Sequence, residues 1–182
     1  MMSESSEQSV VFLSHGAGPS FYMDTPTTSP MHSLDANSKA AEFLRKFIHT
    51  AGIQKPEVVL VLSAHWEERE VTVNTNAQHK LLFDYGGFPP HTYNLQWPVA
   101  GAPEVAREAA ALLSQAGFSC REDERRGLDH GVFVPLKLVF PKADVKGQCY
   151  YPLSGMQQNK VFFKLLCLCL TFLLKILLTV TH

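Results

Sequence analysis

The sequence predicts an α/β fold, a mostly parallel sheet flanked by helices, and two observations carry that prediction. Short runs of consecutive apolar, β-branched residues recur without polar alternation, at Ser9-Val-Val-Phe-Leu-Ser14 and at Glu57-Val-Val-Leu-Val-Leu-Ser-Ala64. Strands of this kind are covered on both faces, as a parallel sheet requires. Between the two runs Ala40, Leu44, Phe47, Ile48 and Ala51 fall at helical spacing, and Gly52 sits where a helix stop belongs. That is a strand, helix, strand unit, whose crossover is right-handed as a rule.

The remaining elements follow in order. Val71 and Val73 alternate with polar residues and mark a third strand. A second helix opens near Pro103, continues through Val105, Ala106, Ala109, Leu112, Leu113 and Ala116, and closes at Gly117. Gly127-Leu-Asp-His-Gly131 is a tight turn, after which the apolar stretch 132–140 has a proline, Pro135, placed to start a helix. Residues 145–160 show no clear period and read as loop. Residues 161–182 are almost entirely Leu, Phe, Cys, Ile, Val and Thr, broken by Lys164 and Lys175. The expected organisation is a disordered stretch over 1–8, a globular α/β region over 9–144 and a divergent hydrophobic tail over 145–182. No internal repeat is present.

Composition narrows the function classes. A chain of 182 residues with 46% hydrophobic and 18% charged residues is one domain's worth of globular protein, neither disordered nor a coiled coil. Sixteen Lys and Arg balance seventeen Asp and Glu, with no basic block. A nucleic-acid footprint is therefore not expected, and small neutral or metal-bound ligands fit better. The four cysteines form no CxxC pair, and the polar N-terminus lacks the apolar core of a secretory signal, so the expected compartment is the reducing cytosol.

Three of the eight histidines stand in contexts that suggest chemistry. His15 and His65 each follow a buried strand at its carboxyl end, where open α/β sheets bind their ligands. If the two strands are parallel neighbours, their imidazoles converge. Two neutral imidazoles are the minimal start of a Zn²⁺ or Fe²⁺ site, which needs at least one more His or carboxylate; read singly, each is a hydrogen-bonded strand-end residue. His130, between Asp129 and Gly131, can be held by a neighbouring carboxylate and suits proton transfer or a hydrogen bond to a substrate oxygen. The bland reading is an ordinary turn histidine.

Weaker signals surround these. Gly16-Ala17-Gly18 follows a strand, but no third glycine and no Gly-Lys-Ser/Thr come after it, which argues against nucleotide binding. Phe83, Tyr85, Phe88, Tyr93 and Trp97 cluster about a Gly-Gly-Phe-Pro-Pro turn, as the wall of an aromatic pocket or as a satellite core. His32, His49, His79, His91 and His182 have no ligand spacing and are expected at the surface.

Five ordered blocks then carry a resemblance. Phe12-Leu-Ser-His15-Gly-Ala-Gly-Pro19, Leu62-Ser-Ala-His65-Trp66, Asp84-Tyr-Gly-Gly-Phe-Pro89, Tyr93 with Pro98-Val-Ala-Gly-Ala-Pro103, and Gly127-Leu-Asp-His-Gly131 with Val134-Pro-Leu and Phe140-Pro-Lys-Ala-Asp144 resemble the LigB-type (class III) extradiol ring-cleavage dioxygenases, in the DOPA dioxygenase branch. The resemblance implies a non-haem Fe²⁺ enzyme, with zinc in some relatives. Its substrates would be a catechol and O₂, and both oxygen atoms would enter the ring beside the diol. It implies His15 and His65 as metal ligands and His130 as the catalytic proton donor or a group beside it. Tyr85, Phe88 and Asp129 are the expected substrate contacts.

The resemblance stops at Asp144. The family places its remaining metal ligand and another active-site histidine in a C-terminal half, whereas the last histidine here is the terminal His182. The expectation is a truncated product, with a sheet incomplete at its C-terminal end, weak or absent activity, and exposed apolar faces that a helical tail from Val161 would cover in part. A rival reading makes Val161–Val180, 20 residues, a tail anchor. Its two interior lysines argue against membrane insertion. The competing functions are a non-enzymatic binding module of the same fold and a metal-dependent hydrolase.

Overall fold

The computed structural model describes residues 9–145 apart from Ala64, and the backbone of 148–150 and 176–181. The elements run β1 (Ser9–Ser14), α1 (Lys39–Thr50), β2 (Val59–Ser63), β3 (Val71–Asn74), α2 (Pro103–Gln115), β4 (Cys120–Asp123), α3 (His130–Val139), β5 (Gln148–Tyr150) and β6 (Ile176–Thr181), with short 3₁₀ turns between them. Four strands form one all-parallel sheet in the order β1-β6-β2-β5, and β3 pairs with β4 in a second, two-stranded parallel sheet. The α/β class read from the sequence is the class observed.

β2 organises the core because both of its faces are covered. Val59 and Val61 point into one cluster with Ala41, Leu44 and Phe47 of α1 and with Val132, Phe133 and Leu136 of α3. Leu60 and Leu62 point the other way, into a second cluster with Val71 and Val73 of β3 and Ala106, Ala109 and Leu113 of α2. Side chains of a strand alternate between faces, so the unbroken apolar run of β2 serves two cores at once.

The helix ends follow their local chemistry. The Ser38 hydroxyl accepts from the Ala41 N–H at 3.1 Å and caps α1, and Pro103 occupies the first turn of α2, where its missing N–H costs nothing. α3 departs from expectation. It starts at His130, so Pro135 lies inside the helix and does not open it. Nearly every residue of α3 is buried, and packing of that extent outweighs the loss of one intrahelical hydrogen bond.

Other differences concern strands. β4, Cys-Arg-Glu-Asp, has no apolar pattern to announce it; it is held by backbone pairing with β3 in register Val71 to Cys120 through Asn74 to Asp123. β5 lies in the stretch read as loop. In the tail, residues 176–181 form no helix but a strand that pairs with β1 on one side (Val11 with Leu178) and with β2 on the other (Val61 with Leu178). The rest of the tail, and residues 1–8, lie outside the described residues. Among the described residues no helix is long and apolar enough to cross a membrane.

Two substitutions test this architecture. Phe133 is fully buried, and Phe133→Ala is expected to cost about 3–5 kcal/mol of unfolding free energy, read by urea denaturation. Leu178→Pro removes a backbone donor from a strand paired on both sides and is expected to lower the urea midpoint more than Leu178→Ala does.

Candidate functional site

The three histidines singled out in the sequence meet at one place. His15 follows β1, His65 follows β2, and His130 is the first residue of α3. β1 and β2 are not neighbours, since β6 runs between them, yet the Nε2 atoms of His15 and His65 are 2.9 Å apart. The His130 ring lies 4.1 Å from that of His65 and 5.1 Å from that of His15, centroid to centroid. One ligand atom from each residue lies within 4.8 Å of the others. His15 and His130 are buried and His65 is half-buried.

This donor set suits a metal ion. Two nitrogens each about 2.1 Å from one ion are about 3.0 Å apart at right angles and about 3.4 Å apart at the tetrahedral angle; the His15–His65 separation of 2.9 Å, a hydrogen-bond length without an ion, is close to the first and opens by about 0.5 Å for the second. Imidazole nitrogens suit zinc and iron alike.

His65 is fixed by its surroundings. The His65 N–H donates to the Ser63 hydroxyl at 3.1 Å, and the His65 carbonyl accepts from Arg126 Nη2 at 3.2 Å. Arg126 lies over the Trp66 ring, 4.9 Å from its centroid, an arrangement that combines charge with aromatic packing. The His65 ring presses against Gly131: a Cβ there would sit 2.5 Å from His65 Cδ2. Only glycine leaves room for the imidazole, which gives the Asp-His-Gly triplet its last residue a physical reason.

The two carboxylates beside His130 divide the work in a way the sequence does not reveal. Asp129 precedes α3, a position where an aspartate side chain commonly caps the helix. Here its side chain makes no cap. It is 1% exposed, with both oxygens 2.9 Å from the Ser63 hydroxyl and Oδ2 3.6 Å from Arg126 Nη2. Burial holds its carboxyl above the ordinary value, the Ser63 hydroxyl pulls it back, and the charge of Asp84 pushes it up again. Expected as a substrate contact, Asp129 has no open face to offer a ligand; it braces the turn that carries His65.

Asp84 meets the first N–H of the helix instead. Its Oδ1 accepts from the His130 main-chain N–H at 2.9 Å and lies 2.8 Å from His130 Nδ1. Burial works against ionisation of Asp84, but the hydrogen bonds from the ring and the backbone of His130 outweigh it and hold the carboxyl below its ordinary value. The carboxylate that grips His130 is thus Asp84, 46 residues away in the chain, and not its neighbour Asp129.

The aromatic cluster divides between the core and the edge of the histidine site. Trp97 is core, its indole N–H donating to the Phe140 carbonyl at 2.9 Å, and Phe83 packs on Phe133 at 5.6 Å between centroids. Tyr85 and Phe88 line the edge of the histidine site: the Tyr85 ring is 5.9 Å from His130 and 5.5 Å from Phe88. Burial pushes the Tyr85 phenol up to about 12, so it stays protonated and donates to the Thr92 carbonyl at 2.7 Å. Phe88 lies against Gly18, where φ is +52° and a Cβ would come within 2.8 Å of the phenyl ring, so a larger residue would be both strained and in collision. Among the remaining histidines, His79 is buried and not at the surface; it packs beside Gly101, whose missing Cβ leaves it room.

An α/β protein in which two histidines at the carboxyl ends of parallel strands meet a third at the start of a helix is the class that fold and site define. The family model for the catalytic LigB subunit of aromatic ring-opening dioxygenase matches residues 9–162, and the chain belongs to that family. It is 35% identical over 146 residues to a 4,5-DOPA dioxygenase extradiol of Beta vulgaris, covering 80% of this chain and 50% of that protein. It is 38% identical over 138 residues to the dioxygenase tasH of Hapsidospora irregularis, covering 75% and 41% respectively. The chain spans about half the length of the curated relatives it matches. A crystal structure of an uncharacterized Escherichia coli K12 protein shares the fold, with a TM-score of 0.62 at 23% identity over 95% of this chain and 59% of that one.

Sequence reasoning singled out His15, His65 and His130 but gave Ser63, Asp84 and Arg126 no role. The signal for Asp84 was present, since it opens one of the five matching blocks. Arg126 had none beyond its charge.

The packing at Gly131 makes a direct prediction. Gly131→Ala forces the His65 ring aside and is expected to destabilise the fold by about 1–3 kcal/mol, measured by urea denaturation, as overpacking of a filled interior does.

Proposed function

We propose that this chain carries a catechol site of the extradiol dioxygenase type, in which ring cleavage inserts both atoms of O₂ beside the diol of a DOPA-like substrate. The observation that carries the reading is the convergence of His15, His65 and His130 at the carboxyl end of the sheet, together with membership of the family. His15 and His65 are the residues to hold the ion, non-haem Fe²⁺ or zinc in its place. Such an ion supplies Lewis acidity and brings diol and O₂ together.

The chain's own residues do the rest. His130, with Nδ1 engaged by Asp84, has Nε2 left to take a proton from a catechol hydroxyl and to return it later, as general acid–base work by an imidazole requires. Tyr85 and Phe88 offer apolar faces against which an aromatic ring packs at the edge of the triad. Asp129, Ser63 and Arg126 hold the turn that presents His65. With no basic patch and few cysteines, a small-molecule task in the cytosol fits the chain.

The test uses the full 182-residue chain. Calorimetric titration with Zn²⁺ is expected to show one ion per chain, with affinity reduced about 10-fold or more in His15→Ala and His65→Ala, since even loss of groups that merely support a ligand costs that much. Loading with Fe²⁺ and adding DOPA in air is expected to give at most a weak yield of yellow ring-opened product, since two protein ligands hold an ion weakly, and His130→Ala is expected to abolish whatever forms. Catechol binding without product would leave the non-enzymatic binding module as the reading; no ion binding at all would defeat both.

A further inference from the structure

We infer that Asp84 is the positioning residue of His130, selecting the ring tautomer that aims Nε2 at the site shared with His15 and His65. A carboxylate only accepts hydrogen bonds. At 2.8 Å from Asp84 Oδ1, His130 Nδ1 therefore carries a proton, and in the neutral ring the lone pair resides on Nε2. Imidazole otherwise distributes its proton between the two nitrogens, and the hydrogen bond at one decides the state of the other.

The grip has two points. The same oxygen that faces the ring also accepts from the His130 main-chain N–H at 2.9 Å, one of the donors that the first turn of a helix leaves without an internal partner. The side chain of the residue just before a helix reaches the second or third helical N–H and not the first, so this donor is met from outside the helix, by Asp84. Backbone and ring of His130 are thereby fixed relative to one carboxylate, and the ring has no freedom to turn about its side-chain bonds without breaking a charge-assisted contact. Asp84 also begins the segment that bears Tyr85 and Phe88, so the group orienting the imidazole and the apolar edge beside it move as one piece of chain.

This inference rests on the reading of His130 as a proton carrier, but its test does not. In the full chain without added metal or catechol, ¹⁵N-histidine spectra report the tautomer of each ring, and His130→Gln identifies the His130 signals. The wild type is expected to show the Nδ1–H form. Asp84→Ala, checked as folded by circular dichroism, is expected to shift His130 to mostly Nε2–H, whereas Asp84→Asn, whose amide oxygen still accepts, is expected to keep the Nδ1–H form. A residue that only capped the helix would lower thermal stability in Asp84→Ala and leave the tautomer where it was. An Nε2–H ring in the wild type, or an unchanged ring in Asp84→Ala, would overturn the inference, and if Asp84→Ala fails to fold the wild-type spectrum decides alone. In ring-cleavage assays the positioning role predicts a kcat about 10²-fold lower in Asp84→Ala with little change in KM, the size of a lost proton-transfer contribution. Absence of ring cleavage in the wild type with the tautomer as expected would count against the proposed function only.

Discussion

Two imidazole nitrogens held 2.9 Å apart at the ends of strands that do not touch set the demands that the rest of the structure meets. At that distance one ring can donate an Nε2–H to the other, but a single such bond contributes little net free energy, and both side chains lose rotamer freedom in making it. The approach must be imposed by rigid surroundings. β1 and β2 supply them: each ends beside a site histidine, and both are anchored through β6 in a single parallel ladder. Burial of β2 on both faces leaves it no freedom to shift, because a slip of one residue would carry Val59 and Val61 into the core meant for Leu60 and Leu62.

The same demand accounts for the polar residues packed around the rings. Taking a carboxylate out of water is costly unless hydrogen bonds replace the lost hydration. Asp129 meets that condition through Ser63 and, at longer range, Arg126; Asp84 meets it through two donors of His130. Each network ends on a histidine. Ser63 and Arg126 hold the backbone on either side of the His65 peptide unit, and Asp84 holds both ring and backbone of His130. The polar cost of the site is thus offset by bonds that also aim its imidazoles, and the glycine at 131 provides the space into which the His65 ring fits.

Legibility in the sequence followed the range of the interaction. β1, α1, β2, β3 and α2 were evident because apolar period, an N-terminal proline and a terminal glycine act within a few residues. β4 was hidden, since a Cys-Arg-Glu-Asp strand owes its form to its partner β3 and not to its own pattern. The start of α3 was misplaced for a related reason: Pro135 is a strong local signal, and burial of almost the whole helix overrides it. In the tail, an unbroken apolar composition fits a helix or a buried strand equally well, and only pairing with β1 and β2 decides for the strand at 176–181.

For the site, the residue types and their places at strand and helix ends were determined by the sequence itself: His15, His65 and His130 are marked by the strand that stops before each of the first two and by the Asp-His-Gly turn around the third. Which carboxylate serves which imidazole was decided by tertiary structure alone. Asp129 adjoins His130 in the chain, but a hydrogen bond depends on distance and direction in space, and the fold turns Asp129 toward Ser63 while bringing Asp84 across to His130.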